Sequence, residues 1–388
     1  MSTENTTDIL AVLGRLVEFQ TTSRDSNLGL IEWVRDYLGG HGVDTQLIYD
    51  PNQSKANLFA TIGPAVDNGI ILSGHTDVVP AADQQWDSHP FRASIRDNKL
   101  YGRGASDMKG FLACVLAQVP FWKNQPLRRP VHLAFSYDEE IGCVGVHSLI
   151  SHMESTGLRV VGCVVGEPTS MEPVVAHKGR ICGHCTVQGK SVHSSLAPQG
   201  VNAISFAARM IVFIESLADR EIQSGQREPG FDVPFSTIAT TLVQGGCADN
   251  IIPNKCNFSF DYRYLPGVDP ARIFDPILDF KDRLVAEMRR LDAESNIELH
   301  RDESCLPLDA DEHSAIAALV KALARNTSTR KVAFSTEAGY FERQGIAAIV
   351  CGPGSIEQAH RANEYVDIDQ LSACRHFLNK LGVSLCDG

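Results

Sequence analysis

The stretch GIILSGHTD, residues 69–77, joins a short apolar run to two polar side chains suited to a metal site. Ile70, Ile71 and Leu72 predict a short buried strand, since such apolar runs are typical of strands inside a sheet. His75 and Asp77 are two residues apart, so in an extended backbone they point the same way. A carboxylate beside an imidazole fixes the ring's tautomer and orientation, which prepares its other nitrogen for a metal. For this stretch alone, a polar strand end with an incidental histidine remains an equal alternative.

Later apolar runs end in the same kinds of side chain. The runs are residues 131–137, 160–165 and 347–351, and a glycine-rich turn at 102–110 precedes a further apolar helix. Strands that alternate with helices predict an α/β fold with a mainly parallel, helix-covered sheet. Ligands of such sheets bind at the carboxyl ends of the strands. His75, Asp77, Glu139, Glu140 and Glu167 follow such runs directly, and the glycine-rich turn and a later loop add Asp107 and His360 as candidates.

A different pattern begins after Arg180. Strand, helix, two strands, helix and strand follow one another up to about residue 305, an order that predicts a ferredoxin-like α+β domain. We therefore expect a discontinuous catalytic domain of residues 1–180 and 306–388. The segment 181–305 is expected to form an inserted lid and dimerisation domain.

Composition narrows the range of partners and compartments. The chain has 388 residues, a net charge of −12 and 11 cysteines. A strongly acidic chain without a basic run argues against nucleic acid or an anionic membrane as its main partner. No apolar run approaches the ~18 residues of a membrane span, and the polar start of the chain has no signal-peptide core. Cysteines without a framework pattern predict reduced thiols in the cytoplasm, and Cys182-Gly-His-Cys185 lies in a predicted strand, where a redox motif is not expected.

The candidate ligands suit a pair of divalent cations. Two histidines and three of the five carboxylates, without a cysteine, form a ligand set that is typical of zinc or a similar ion. Two such ions sharing one bridging carboxylate would use all five ligands. Three carboxylates and one hydroxide would also neutralise their charge. Such an arrangement is typical of a two-metal hydrolase.

The motifs that carry these residues resemble, in the same order, those of the M20-type metallopeptidases, the dinuclear-zinc aminoacylase and carboxypeptidase family. The matching segments are Gly74–Asp77, Gly102–Gly110, Asp138–Gly142, Gly166–Thr169 and Ala359-His360. Several segments, including Ala176–Gly179, Thr336–Phe341 and Gly352–His360, are most similar to the deacetylases of this family. Gly339 and the segment Arg361–Glu364 depart from the family's usual residues without touching a ligand.

The resemblance implies a role for each candidate. His75 and Glu167 would hold one metal ion, Glu140 and His360 the other, with Asp107 as the bridge. Asp77 would orient His75. Glu139 would be the general base that takes a proton from the attacking water and returns it to the leaving amine. The two ions are expected to be zinc, with cobalt as the alternative.

The resemblance also implies substrate-binding residues and a partner. Arg263 would bind the α-carboxylate of a small N-acyl amino acid, and Asn250 would also meet the substrate. His193 would support the oxyanion from the partner subunit of a homodimer. Glu337 is a further candidate, as the partner of a cationic substrate side chain.

The ligand set leaves several activities open. A deacetylase, a desuccinylase, a general aminoacylase and a dipeptidase would share every metal residue. A metal-free binding protein on the same scaffold is a different class, and the presence of both Glu139 and Asp107 disfavours it.

Overall fold

A computed structural model describes residues 4–324 and 328–386 as two compact units. The first unit contains Met1–Ala176, Leu308–Lys331 and Thr336–Gly388, and the second contains His177–Pro307 and Val332–Ser335. Residues 332–335 thus join the second unit, although they lie far beyond the segment 181–305 that the sequence predicts as the insertion.

The first unit begins with alternating helices and strands. The elements up to its first boundary are α1 (Glu4–Glu18), α2 (Leu28–Gly40), β1 (Thr45–Tyr49), β2 (Ala56–Ile62), β3 (Gly69–His75), β4 (Ser94–Arg96), β5 (Lys99–Tyr101), α3 (Lys109–Lys123), β6 (Val131–Ser136), α4 (Val146–Ser155), β7 (Val160–Pro168) and β8 (Val174–His177). Helix α4 is not among the predicted elements, although its buried Val146, Leu149, Ile150 and Met153 have helical spacing.

The second unit has the predicted βαββαβ order. Its elements are β9 (Gly179–Gln188), a 3-10 turn (Ser194–Gln199), α5 (Ala203–Ser224), β10 (Thr237–Gly245), β11 (Lys255–Tyr264), α6 (Ala271–Arg289) and β12 (Asn296–Cys305). The strands form an antiparallel sheet in the order β10-β11-β9-β12. Strand β9 alternates buried residues with partly exposed or exposed ones, because one face of the sheet is packed and the other is more solvated.

The chain then completes the first unit. The remaining elements are β13 (Leu308–Asp309), α7 (Ala315–Ala324), β14 (Arg330–Val332), α8 (Ala338–Arg343), β15 (Ala348–Gly352), a 3-10 turn (Ile356–Gln358), β16 (Tyr365–Asp367) and α9 (Ile368–Ser384). Strand β16 pairs with β5, and β5 with β4, in a small antiparallel sheet.

The main sheet of the first unit positions the candidate ligands. Its order is β1-β2-β6-β3-β7-β15-β8-β13, and β14 also pairs with β8. The four central strands β6, β3, β7 and β15 run parallel, while β1 and β2 form an antiparallel edge. All seven residues of β3 are buried, as expected for a strand covered on both faces. The predicted α/β class with an inserted α+β domain is confirmed.

Helix α3 packs closely on the main sheet. A Cβ atom on Gly166 would lie 2.1 Å from the ring of Phe111, so only glycine allows β7 to approach this helix. Phe111, Leu112 and Leu116 are buried in one apolar core with Leu72 and Val164. This packing holds the ends of β3 and β7 at the same level.

Among the helices that the structure describes, none combines the length and the apolar character that crossing a bilayer requires.

Candidate metal centre

The central parallel strands bring the predicted ligands to one edge of the main sheet. His75 is the last residue of β3, and Ser136, its neighbour in register, ends β6 just before Glu139 and Glu140. Glu167 lies near the end of β7, and β15 leads into the loop that carries His360. Because parallel strands end at the same edge, residues far apart in the sequence meet there.

Asp107 lies between two histidines. Its Oδ1 is 3.0 Å from Nε2 of His75, and its Oδ2 is 3.2 Å from Nε2 of His360. Glu167 Oε1 is 3.8 Å from Nε2 of His75, and Glu140 Oε2 is 3.0 Å from Nε2 of His360. The cluster therefore divides into two sets, each with one imidazole, one terminal carboxylate and one oxygen of Asp107.

The chemistry of these donors fits two divalent cations. His75, Asp107 and Glu140 offer ligand atoms that all lie within 4.8 Å of one another, and so do His75, Glu139 and Glu167. His75, Asp107 and Glu167 are at most 5% exposed, so water compensates little of their charge. Imidazole nitrogens and carboxylate oxygens are the ligands that zinc and similar ions prefer.

Electrostatics points to the same need for positive charge. Burial, together with the charge of Asp107, raises the pKa of Glu140 and raises that of Glu167 well above its usual range. Hydrogen bonds to Asp107 and Glu140 raise the pKa of His360 to about 10. Burial opposes ionisation of Asp107, but hydrogen bonds to His360 and His75 lower its pKa overall. Carboxylates crowded in this way are stable only beside cations.

Asp77 connects the two halves of the centre. The backbone oxygen of Asp77 accepts a hydrogen bond from Nδ1 of His75 at 2.9 Å, and its carboxylate Oδ1 lies 3.5 Å from the same nitrogen. The carboxylate also accepts hydrogen bonds from the backbone N–H groups of Glu139 and Glu140 and from the Ser23 hydroxyl. Burial opposes ionisation, yet the contact with His75 and these donors lower the pKa of Asp77. An ionised Asp77 fits the predicted role of orienting His75.

The three consecutive acids after β6 have different partners. Asp138 pairs with the buried ammonium of Lys55 at 2.5 Å and accepts a hydrogen bond from the backbone of Arg24. Glu139 is 8% exposed, and its Oε1 accepts a weak hydrogen bond from the Cys143 thiol at 3.6 Å. Asp138 is therefore structural, whereas Glu139 and Glu140 lie at the cluster.

A buried ion pair that is not evident from the sequence supports Asp107. Glu364 accepts hydrogen bonds from the backbone N–H groups of Gly104, Ser106 and Asp107 at 2.9 to 3.1 Å. It also pairs with Nη1 of Arg103 at 2.8 Å, and both side chains are 1% exposed. Burial and the charge of Asp107 raise the pKa of Glu364, so this carboxylate depends on Arg103. The only signal in the sequence was a charged residue in each of two separate loops.

The remaining predicted residues occupy two different settings. Glu337 belongs to the first unit and is 1% exposed, and burial raises its pKa to about 7. In the second unit, His193 pairs with Ile251 in an isolated β-bridge, and Asn250 accepts a hydrogen bond from the backbone of Ser194. The structure thus brings His193 and Asn250 together on exposed loops. Arg263 lies on β11, where its Nε donates to Asp261 at 2.7 Å. The substrate roles of these residues stay predictions.

Comparisons with known proteins place this geometry in context. Residues 71–382 match the family model described as Peptidase family M20/M25/M40. The chain is 33% identical over 386 residues to the acetylornithine deacetylase of Myxococcus xanthus, with 97% of each chain covered. It is 34% identical over 355 residues to that of Erwinia tasmaniensis, covering 91% of this chain and 89% of the relative.

Solved structures share the fold at lower identity. An M20-family metallo-carboxypeptidase from Sulfolobus solfataricus is similar with a TM-score of 0.79 and 20% identity, covering 97% of this chain and 99% of the other. Human carnosine dipeptidase 1 is similar with a TM-score of 0.76 and 14% identity, covering 99% and 98%. A dinuclear metal-binding M20 peptidase from Bacillus subtilis has a TM-score of 0.64 at 13% identity, covering 100% and 99%.

Proposed function

This chain belongs to Peptidase family M20/M25/M40 and is a metal-dependent hydrolase of amides, and from that premise we propose that it removes the acetyl group from N²-acetyl-L-ornithine. The products are L-ornithine and acetate, and the reaction serves arginine biosynthesis. The observation that carries the catalytic part is Asp107 with one histidine at each of its carboxylate oxygens. The choice of substrate is supported by relatives named acetylornithine deacetylase, to which this chain is similar over nearly its whole length.

The metal-holding residues follow from the two ligand sets. His75 and Glu167 would hold one ion, Glu140 and His360 the other, and Asp107 would bridge them. When bound, two zinc or cobalt ions supply Lewis acidity toward water and toward an amide carbonyl. Metal analysis of the purified protein should find two ions per chain, and we expect zinc.

Glu139 performs the proton transfers in this proposal. It accepts a proton from the attacking water as the new C–O bond forms at the acetyl carbon. It then donates that proton to the amine nitrogen as the C–N bond breaks, so that acetate and ornithine leave. Asp77 keeps His75 oriented, because it contacts the ring nitrogen that faces away from Asp107.

We assign substrate contacts to the second unit. Arg263 would bind the free α-carboxylate, and Asn250 would also contact the substrate. His193 would support the developing oxyanion from the partner subunit of a homodimer. The metal ligands do not distinguish acyl groups, so these contacts would determine the choice of substrate. Glu337 is proposed as the partner of the ornithine ammonium.

We also propose that the second unit forms the contact of a homodimer. The protein is proposed to act in the cytoplasm. Strand β10 lies at an edge of its sheet, and there Leu242 and Val243 are 69% and 64% exposed. Exposed apolar edge strands are prone to pair with another chain. A chain that stays monomeric by light scattering at assay concentration, with full activity, would contradict the dimer.

A substrate panel tests the proposal. We expect kcat/KM to be higher for N-acetylornithine than for N-succinyl-diaminopimelate or for N-acetylmethionine, the uncharged control. A preference for the succinyl compound would identify a desuccinylase, and a preference for N-acetylmethionine a general aminoacylase. Growth of an arginine-requiring strain that lacks acetylornithine deacetylase, once it carries this chain, would test the pathway independently.

A further inference from the structure

Two arginines face each other on the sheet of the second unit. Arg180 on β9 and Arg263 on β11 are direct partners in the antiparallel register. Their side chains are 29% and 30% exposed, so solvent screens their repulsion only in part. Like charges directly opposite each other on neighbouring strands are destabilising. A like-charged pair of this kind requires a compensating anion.

One carboxylate serves both arginines. Asp261 Oδ2 accepts a hydrogen bond from Nε of Arg180 at 2.6 Å, and its Oδ1 accepts one from Nε of Arg263 at 2.7 Å. Asp261 lies two residues before Arg263, so both side chains project from the same face of β11. The three groups together carry a net charge of one positive unit.

Asp261 leaves the terminal nitrogens of both guanidinium groups to other partners. Asp261 engages the Nε atoms, while Nη1 of Arg263 donates to the Ser335 hydroxyl at 3.2 Å. That hydroxyl in turn donates to the backbone oxygen of Lys178 at 2.7 Å. Arginine binds carboxylates through paired N–H groups, and a guanidinium held by Nε presents its terminal nitrogens in a fixed direction.

Neighbouring titratable groups respond to this positive charge. Burial and the charge of Arg263 lower the pKa of Lys178 to about 8. Burial, with a smaller contribution from Arg263, lowers the pKa of His177 to about 4, so this imidazole is neutral at neutral pH. Cys182 of β9 lies opposite Asp261 of β11 on one side and opposite Asp302 of β12 on the other. Asp302 pairs with His184 at 3.2 Å and with His300 at 2.8 Å.

We infer that Asp261 is a positioning and specificity residue: it limits the arginine pair to one net positive charge and thereby selects substrates with a single carboxylate. This inference rests on the proposed function, because it assumes that Arg263 binds the substrate carboxylate. A monoanionic group satisfies the one remaining charge. An acyl group with a second carboxylate finds no second free charge and meets the negative charge of Asp261.

The test is Asp261→Asn, which keeps the shape of the side chain and removes its charge. The substrates are N-acetylornithine and N-succinylornithine, which differ only in the acyl group and its carboxylate. We expect the ratio of kcat/KM values to shift toward the succinyl substrate by roughly tenfold or more, mainly through KM, because a unit charge acts over a few ångströms at a partly exposed site. A variant with the parent ratio would overturn the inference, including a variant in which both kcat/KM values fall by the same factor.

Two further variants keep the test decisive. Glu287→Gln removes the same charge from an exposed pair with Arg209 in the same unit, and it should leave the ratio unchanged. If Asp261→Asn fails to fold, Arg180→Met tests the idea in the opposite direction, since it leaves Arg263 and Asp261 neutral together. It should raise KM for N-acetylornithine about tenfold, and an unchanged KM would contradict the inference.

The failure of the inference is distinguishable from failure of the proposed function. A parent protein that hydrolyses neither substrate, with both metal ions bound, would refute the proposed function itself. A parent that hydrolyses N-acetylornithine and loses affinity in Arg263→Met, while Asp261→Asn keeps the parent selectivity, would refute only the role of Asp261.

Discussion

Replacing Glu364 by glutamine should destabilise the first unit and loosen the loop that carries Asp107. Two donors contact each oxygen of this carboxylate: Arg103 and the Gly104 N–H on Oε2, and the Ser106 and Asp107 N–H groups on Oε1. Glutamine offers one acceptor oxygen, so its amide N–H₂ group would face two of these four donors.

The magnitude follows from the burial of the pair. Glu364 and Arg103 are both 1% exposed, so solvent screens their interaction very little. Removing one partner of a buried ion pair costs about 3–5 kcal/mol, because the other charge stays buried and unpaired. We therefore expect Glu364→Gln to lower the free energy of unfolding by about that amount, and to lower metal retention because the Asp107 backbone loses its anchor.

Urea unfolding measures this effect in four proteins. They are the parent, the single variants Glu364→Gln and Arg103→Met, and the double variant that combines them. The double variant should lose less stability than the two single losses added together, by about 2 kcal/mol, since it leaves no unpaired charge. Glu18→Gln is the matched control, because Glu18 forms an exposed pair with Arg15 and its loss should cost at most about 1 kcal/mol. Losses that add to within about 0.5 kcal/mol would refute the coupling of the buried pair.

Three further predictions concern separate parts of the first unit. Glu139→Gln should lower kcat by about 10²–10⁴-fold with unchanged metal content, and turnover at the parent rate would place the base elsewhere. Burial lowers the pKa of His132 to about 4. As the pH falls from about 6.5 to 4, the imidazole takes up a proton in the unfolded chain but not in the folded one, so the free energy of unfolding falls by about 3 kcal/mol. His132→Gln should flatten the plot of this free energy against pH in the same window, relative to the parent. Gly352→Ala would place a Cβ 2.0 Å from the backbone oxygen of Gly166, so β15 must move from β7, and both thermal stability and metal content should fall; a variant equal to the parent in both would refute the close approach.

The sequence determined the strands that carry the candidate ligands because their signals are local. An apolar run followed by His75 or Glu167 predicts both a buried strand and a polar group at its carboxyl end, and the parallel arrangement then brings those ends together. The apolar runs that begin at residues 131 and 160 start at the same residues as β6 and β7. The βαββαβ order of the second unit was equally visible from periodicity alone.

Only the tertiary structure revealed the contacts that hold these groups in place. The backbone of residues 104–107 depends on Glu364, and strand β5 pairs with β16, which lies more than 260 residues later in the chain. In both pairs, the local sequence of one partner contains no pattern that identifies the other. A hydrogen bond depends on distance in space and leaves no periodicity in the sequence. Asp261 is similar: the sequence shows an acid two residues before Arg263, but only the register of β9 against β11 places Arg180 on its other oxygen. Residue types and strand ends thus predicted which candidate ligands meet at one edge of the sheet, whereas long-range pairing of buried charges decided which residues support them.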